Sequence, residues 1–265
     1  MLAMPGCMNP SNLIEPIPGK DGMVHLPDAE NWMQGRTLYG GASALVAYTH
    51  AKRSLPDLPP LRAAQIGFVA PVGTDLDMRT AIVREGRNVT QVRTELFSEG
   101  KLALTALFLF GAAREPNAVH PSDAPADWPG PPEDGEPVAP PAQKHFIGNY
   151  ELRRAQDHQG PGYPEVRRWI RLRDAGDLDP MSHLVLVGDT LPPGAMRAMQ
   201  RQGPLSSINW SFNVLDTEPA TRDGWWLAAN TSQHADAGYS SERLRLWNAD
   251  GRLMLDGMQA VAIFG

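Results

Sequence analysis

One cysteine, Cys7, in 265 residues excludes an intrachain disulfide framework and fits a reducing compartment. No run of about 18 apolar residues occurs, so no stretch reads as a membrane-spanning helix. A net charge of −6 without any basic cluster argues against nucleic acid or an anionic membrane as the main partner. Gly-x-Ser-x-Gly, P-loop and metal-ligand patterns are all missing, which removes a nucleophile-elbow hydrolase, a nucleotide cradle and a metalloenzyme from the first choices. Neither a basic n-region nor an apolar h-region precedes Cys7, so no signal peptide is read and a cytoplasmic location is expected. What remains is a chain 42% apolar, long enough for one large globular unit or two ordinary ones.

The pattern along the chain is strand-rich. After a loose lead-in over residues 1–21, a short first strand is expected within Gly22–Trp32. Gly40-Gly41 opens an apolar helix over Ala42–Arg53, with Lys52 and Arg53 in its last turn and Pro56 beyond its end. Strands then follow at Arg62–Val69, Leu76–Glu85, Val89–Phe97 and Lys101–Gly111. Nine prolines between Arg114 and Lys144, with almost no aliphatic residues, mark a linker and a domain boundary. The expected division is therefore 1–113, 114–144 and 145–265. The second part repeats the first, with strands at Tyr150–Arg154, Glu165–Arg173, Ser206–Leu215, Trp225–His234, Ser240–Trp247 and Arg252–Phe264. Its helix is expected to start at Asp189, with Pro192 and Pro193 in the first turn and Ala195–Gln202 as the body.

Three segments match in order between the parts, which indicates an internal duplication. Leu96-Phe97 with its turn matches Leu246-Trp247, Ala64–Phe68 matches Ser206–Trp210, and Tyr39-Gly40-Gly41 matches Val187-Gly188-Asp189. The implied fold is α+β, with two antiparallel sheets, each wrapped on a central helix.

The copies differ in polar groups. In the last strand one alternating face reads Leu253, Leu255, Gly257, Gln259, Val261, Ile263, so Gln259 sits among large aliphatic side chains. An amide left unsatisfied there costs roughly 1–3 kcal/mol, so Gln259 needs partners. Its counterpart is Phe108, which means the fold itself does not ask for a polar residue. Aligned in the same way, Ser207 stands opposite Gln65, Asn209 opposite Gly67 and Asp189 opposite Gly41. A hydroxyl, two amides and a carboxylate thus gather in the second copy, flanking a helix start whose partial positive charge suits a developing oxyanion. Bland readings exist for each: Asp189 as an N-cap, Ser207 and Asn209 as a solvated face, Gln259 as a structural hydrogen bond.

The duplicated unit, the two helix starts, Phe68-Val69-Ala70-Pro71, Arg84–Arg87 and the closing Gly257-Met258-Gln259 resemble the double-hotdog acyl-CoA thioesterases of the thioesterase II type. The resemblance covers roughly residues 22–113 and 145–265. It implies a double hotdog with a Pro-rich linker and hydrolysis of a fatty acyl-CoA by a water held between Asp189, Ser207 and Gln259. It places Gly40, Gly41 and Asn209 at the substrate, with the glycine amides meeting the carbonyl oxygen. It calls for no cofactor and no metal, makes acyl-CoA the partner, and allows a homodimer of double hotdogs. Serine stands where threonine is familiar in the family, and Asn209 replaces an acidic neighbour. A non-catalytic acyl-CoA binder on the same fold is the alternative. A hotdog hydratase would need a histidine five residues after its aspartate, and Gly194 stands there.

Overall fold

The computed structural model describes residues 9–19, 21–122, 124–141, 145–155 and 164–264, and Cys7 lies outside them. Two helices form its centre, α1 (Gly40–Ser54) and α2 (Pro180–Val187). The strands of the main sheet are β1 (Ile17–Pro18), β2 (Val24–His25), β3 (Leu61–Phe68), β4 (Asp75–Glu85), β5 (Val89–Ser98), β6 (Lys101–Gly111), β7 (Pro137–Val138), β8 (Tyr150–Arg154), β9 (Glu165–Leu172), β10 (Leu205–Ser207), β11 (Asn209–Val214), β12 (Trp226–Asp236), β13 (Tyr239–Asn248) and β14 (Leu253–Ile263), and a separate small hairpin pairs Met33–Gln34 with Thr37–Leu38.

These strands make one continuous 14-stranded antiparallel sheet, not the two separate sheets expected from the duplication. The order is β1-β2-β4-β5-β6-β3-β11-β14-β13-β12-β9-β8-β7, with β10 also on β14. The halves join where β3 pairs β11, from Asn209 opposite Gly67 to Asn213 opposite Ala63. Each of these strands would otherwise be the open edge of its own half, and pairing satisfies both rows of backbone groups. The sheet's outer ends are β1 and β7, two residues each, and each contains a proline, Pro18 and Pro137.

Read outward from the junction, both directions give the same succession, and irregularities in the ladders repeat as well. The β4–β5 register shifts between Ile82 and Arg84, and the β12–β13 register shifts between Ser232 and His234. The β5–β6 register shifts between Leu96 and Phe97, and the β13–β14 register shifts between Leu246 and Trp247. The last shift turns Leu253 onto the outer face beside Trp247, so only Leu255, Gly257 and Val261 flank Gln259 on the inward side.

The core is shared. Leu45 and Val46 of α1, Leu184–Val187 of α2, and inward residues of both half-sheets belong to one buried cluster. The helices run antiparallel, with Lys52 at the end of α1 lying 3.5 Å from Asp179 at the start of α2. Asp179 is the N-cap of α2, its Oδ1 accepting from the N–H groups of Met181 and Ser182, and Pro180 fills the first turn.

The second helix therefore begins ten residues earlier than its sequence pattern suggested, and Asp189 follows its end. Pro192 and Pro193 hold the chain extended, and only a single 3-10 turn, Gly194–Arg197, forms after them. A second buried cluster lies on the outer face of the second half: Trp169, Trp225, Leu227 and Trp247, with Trp128 from the Pro-rich segment packed edge-on against Trp169.

Candidate active site

The antiparallel helices bring the N-terminus of α1 against the C-terminus of α2, and Asp189 sits at that meeting point. A side chain at Gly40 would collide with Asp189 Oδ2, and one at Gly41 would collide with the Leu186 carbonyl. The paired glycines thus make room for the carboxylate and for the α2 backbone, both parts of the chain itself. Tyr39, the N-cap of α1, is extended and offers no side-chain cap; the first intrahelical bond runs from Ser43 N–H to Tyr39 O at 3.0 Å. The amides of Gly40, Gly41 and Ala42 precede that bond at the positive end of the helix dipole, and the acid lies beside them. The end of α2 is held by Tyr39, whose hydroxyl donates to Leu186 O at 2.7 Å and meets the Tyr150 hydroxyl at 2.5 Å.

Gln259 reaches this point from the middle of β14, 4% exposed. Its Nε2 donates to Asp189 Oδ1 at 2.5 Å, and its Oε1 accepts from Ser207 Oγ at 3.4 Å. The partners required by an amide on an apolar face are therefore Asp189 and Ser207. Asp189 is packed about by protein while keeping a small accessible surface. Burial pushes its carboxyl up to about 7, against the opposing pull of the Gln259 amide, so the acid is poised to exchange a proton near neutrality.

Of the residues expected at the site, Asp189, Ser207, Gln259 and Gly40 come together. Gly41 adjoins them but faces α2 and the Tyr39 ring. Asn209 is exposed, and its Oδ1 accepts from Ala260 N–H at 2.8 Å, bridging the irregularity between β10 and β11. The helix terminus at the acid belongs to the first half, not the second. The alignment of the copies also needs correction. Leu61 opposite Phe110 matches Ser207 opposite Val261, so Ser207 replaces a buried leucine and Asn209 occupies the place of Ala63.

Two inward polar residues, Glu242 and Asn230, escaped the sequence reading. Alternation of Ser240, Glu242, Leu244 and Leu246 puts Glu242 on the inward face, the same misfit that singled out Gln259. Among the strand arginines, Arg153 and Arg171 share Glu151, and Arg167 pairs with Asp127 and Glu165.

The family model for the acyl-CoA thioesterase N-terminal domain matches residues 28–111, and that for the acyl-CoA thioesterase C-terminal domain matches residues 116–263. The chain belongs to the double-hotdog acyl-CoA thioesterase family. As such it is a thioester hydrolase. A Thermobifida fusca protein described as a thioesterase II superposes with this thioesterase at TM-score 0.82 and 21% identity, over 100% of both chains. A hot dog fold protein from Alicyclobacillus acidocaldarius gives 0.83 at 18% identity, over 97% of this chain and 98% of that one. The acyl-CoA thioesterase II TesB2 from Mycobacterium marinum gives 0.71 at 17%, over 96% and 97%. A search of curated proteins found no match. No described helix of the thioesterase is long and apolar enough to cross a membrane.

Proposed function

We propose that the thioesterase hydrolyses a fatty or related acyl-CoA to the free acid and CoA, by direct attack of a water held between Asp189, Ser207 and Gln259. The observation that carries this reading is the hydrogen-bonded chain from Ser207 through Gln259 to an acid at the α1 N-terminus. With Oδ1 engaged by Gln259, the Oδ2 of Asp189 takes the water proton as the water oxygen bonds to the thioester carbon. The carbonyl electron pair moves to its oxygen, which the amides of Gly40 and Gly41 stabilise. Collapse re-forms the carbonyl and breaks the carbon–sulfur bond, and the proton on Asp189 passes to the departing thiolate. No covalent enzyme intermediate is needed.

Asn209, which replaces an acidic neighbour, is the residue that would favour a non-catalytic binder, but its contact with Ala260 uses only the amide oxygen and lies off the Gln259–Asp189 chain. That reading therefore keeps no specific observation in its favour. The test is free-thiol release from acyl-CoAs of graded chain length by wild type and Asp189→Asn. The variant is expected to lose roughly 10³-fold in kcat/KM, in the range for a general base. In the wild type kcat/KM should rise with pH and level off above about 7, where Asp189 is ionised. Undiminished turnover by the variant would remove Asp189 from the chemistry.

A further inference from the structure

The first helix continues for 15 residues across its half-sheet, whereas the second stops after 8. The space this leaves over the second half-sheet is crossed by Thr190–Arg197, the segment that leads away from Asp189. In it Thr190, Leu191, Gly194 and Ala195 are buried. A buried non-helical segment exposes backbone groups that only side chains or sheet can satisfy. Two side chains do so here. Asn230, 3% exposed, donates from Nδ2 to the carbonyls of Leu191 at 2.9 Å and Pro192 at 3.3 Å. Glu242, fully buried, accepts from the N–H of Gly194 at 2.8 Å and of Ala195 at 3.4 Å. Gly194 lies so close to the sheet that a side chain there would meet the Asn230 carbonyl and the Ser232 N–H within 2.7 Å.

The duplication shows that neither residue is required by the sheet. Glu242 stands opposite Gln259, and the matching pair in the first half is Val92 opposite Phe108. By the same register Asn230 matches Thr80. A buried carboxylate without good partners costs far more than valine, so its presence needs the segment that it binds.

We infer that Glu242 and Asn230 are positioning residues: together they clamp the Leu191–Ala195 segment to the sheet and thereby fix Asp189 against Gln259 and the start of α1. The inference rests on the proposed role of Asp189, and it adds two residues that act through that acid without touching substrate. Loosening the clamp would admit water to Asp189, favour its charged form and lower its titration midpoint. The titratable groups facing Asp189 are Tyr39 and Tyr150, both held above the ordinary phenol range by burial, and Glu242 lies across the strand from Gln259.

The experiment uses the full chain in three variants. Glu242→Val installs the first-half residue, Glu242→Gln keeps one acceptor, and Asn230→Ala breaks the clamp with no change of charge. Hydrogen exchange of the peptide covering 190–199 and pH-rate profiles with acyl-CoA are measured for each. Expected for Glu242→Val and Asn230→Ala is at least about tenfold faster exchange confined to that peptide. The same two variants should lose at least about tenfold in kcat with KM within about twofold, and show a lowered pH midpoint. Glu242→Gln should recover most of the loss. Unchanged local exchange, or a midpoint that stays at the wild-type value, in Asn230→Ala would overturn the inference. Should Glu242→Val not fold, Asn230→Ala decides it. Exchange does not depend on turnover, so an active Asp189→Asn would defeat the catalytic reading while leaving the clamp independently tested.

Discussion

Across the inner hairpin of the first half the inward pair is Val92 and Phe108; across that of the second it is Glu242 and Gln259. In the first half a buried Leu61 stands where the second has Ser207. Strand order, ladder irregularities and the placement of a central helix agree between the halves, so the same backbone accepts either set. Phe108 packs edge-on against Tyr48 of a long helix at 5.9 Å, completing an ordinary core. Gln259 meets an acid at the end of a short one. The difference teaches that the second half gave up helix length and apolar contact to place one carboxylate. The first half kept both, and contributes the N-terminus of its helix to that carboxylate. The candidate site belongs to neither copy alone.

The sharpest way to break this division of labour is at Gly40. Gly40→Ala would drive a methyl group into Asp189 Oδ2. Activity should fall about 10²-fold or more through misplacement of the acid, read as kcat/KM on acyl-CoA, with circular dichroism reporting a retained fold. Gln259→Leu makes the second half resemble the first while nearly conserving volume. Turnover should drop about 10–100-fold, and an unchanged rate would reduce Gln259 to a structural amide.

The reciprocal change, Phe108→Gln, carries the glutamine into the first half without its partners. It should give no new activity and cost about 3–5 kcal/mol in denaturant unfolding, from lost packing and an unsatisfied amide.

A smaller effect separates the halves by pH. The folded-state pKa of Asp189 lies above its unfolded value, so its ionisation opposes folding. Relative to wild type, Asp189→Asn should be isostable below about pH 4. It should then gain on the order of 1–4 kcal/mol as pH rises to about 7 and hold that gain beyond. Thermal unfolding at pH 4 and pH 8 tests the sign.

Much of this was legible in the residues, and the exceptions have physical causes. Alternation and turns located the long strands, and β6 and β8 have their expected bounds. The misfit of Gln259 pointed to its partners Asp189 and Ser207 because period-2 burial is a strong constraint. The second helix was misplaced because Asp179-Pro180 and Asp189 both look like helix starts. The apolar run Leu184–Val187 is too short and too uniformly buried to show a helical period. The meeting of Gly40 with Asp189 joins residues far apart in the chain, and no local pattern encodes it. Nor does one encode the single sheet, since β3 and β11 each read as an edge until they find one another. Glu242 was within reach of the same face argument as Gln259 and needed only the register of β13 against β14.

That single sheet has a consequence for how the molecule behaves in a crowd. Fourteen strands in one surface would be a template for recruiting further chains at either end. Here each end finishes in a two-residue strand bearing a proline, Pro18 on one side and Pro137 on the other. A proline has no N–H to offer a newcomer, and two residues are too few to hold one in register. Fusing the halves hid two edges in the middle and the blunt strands close the two ends, whereas the stretch of β4 beyond Leu76 has no outer strand partner among the described residues, so that is where the sheet still offers an edge.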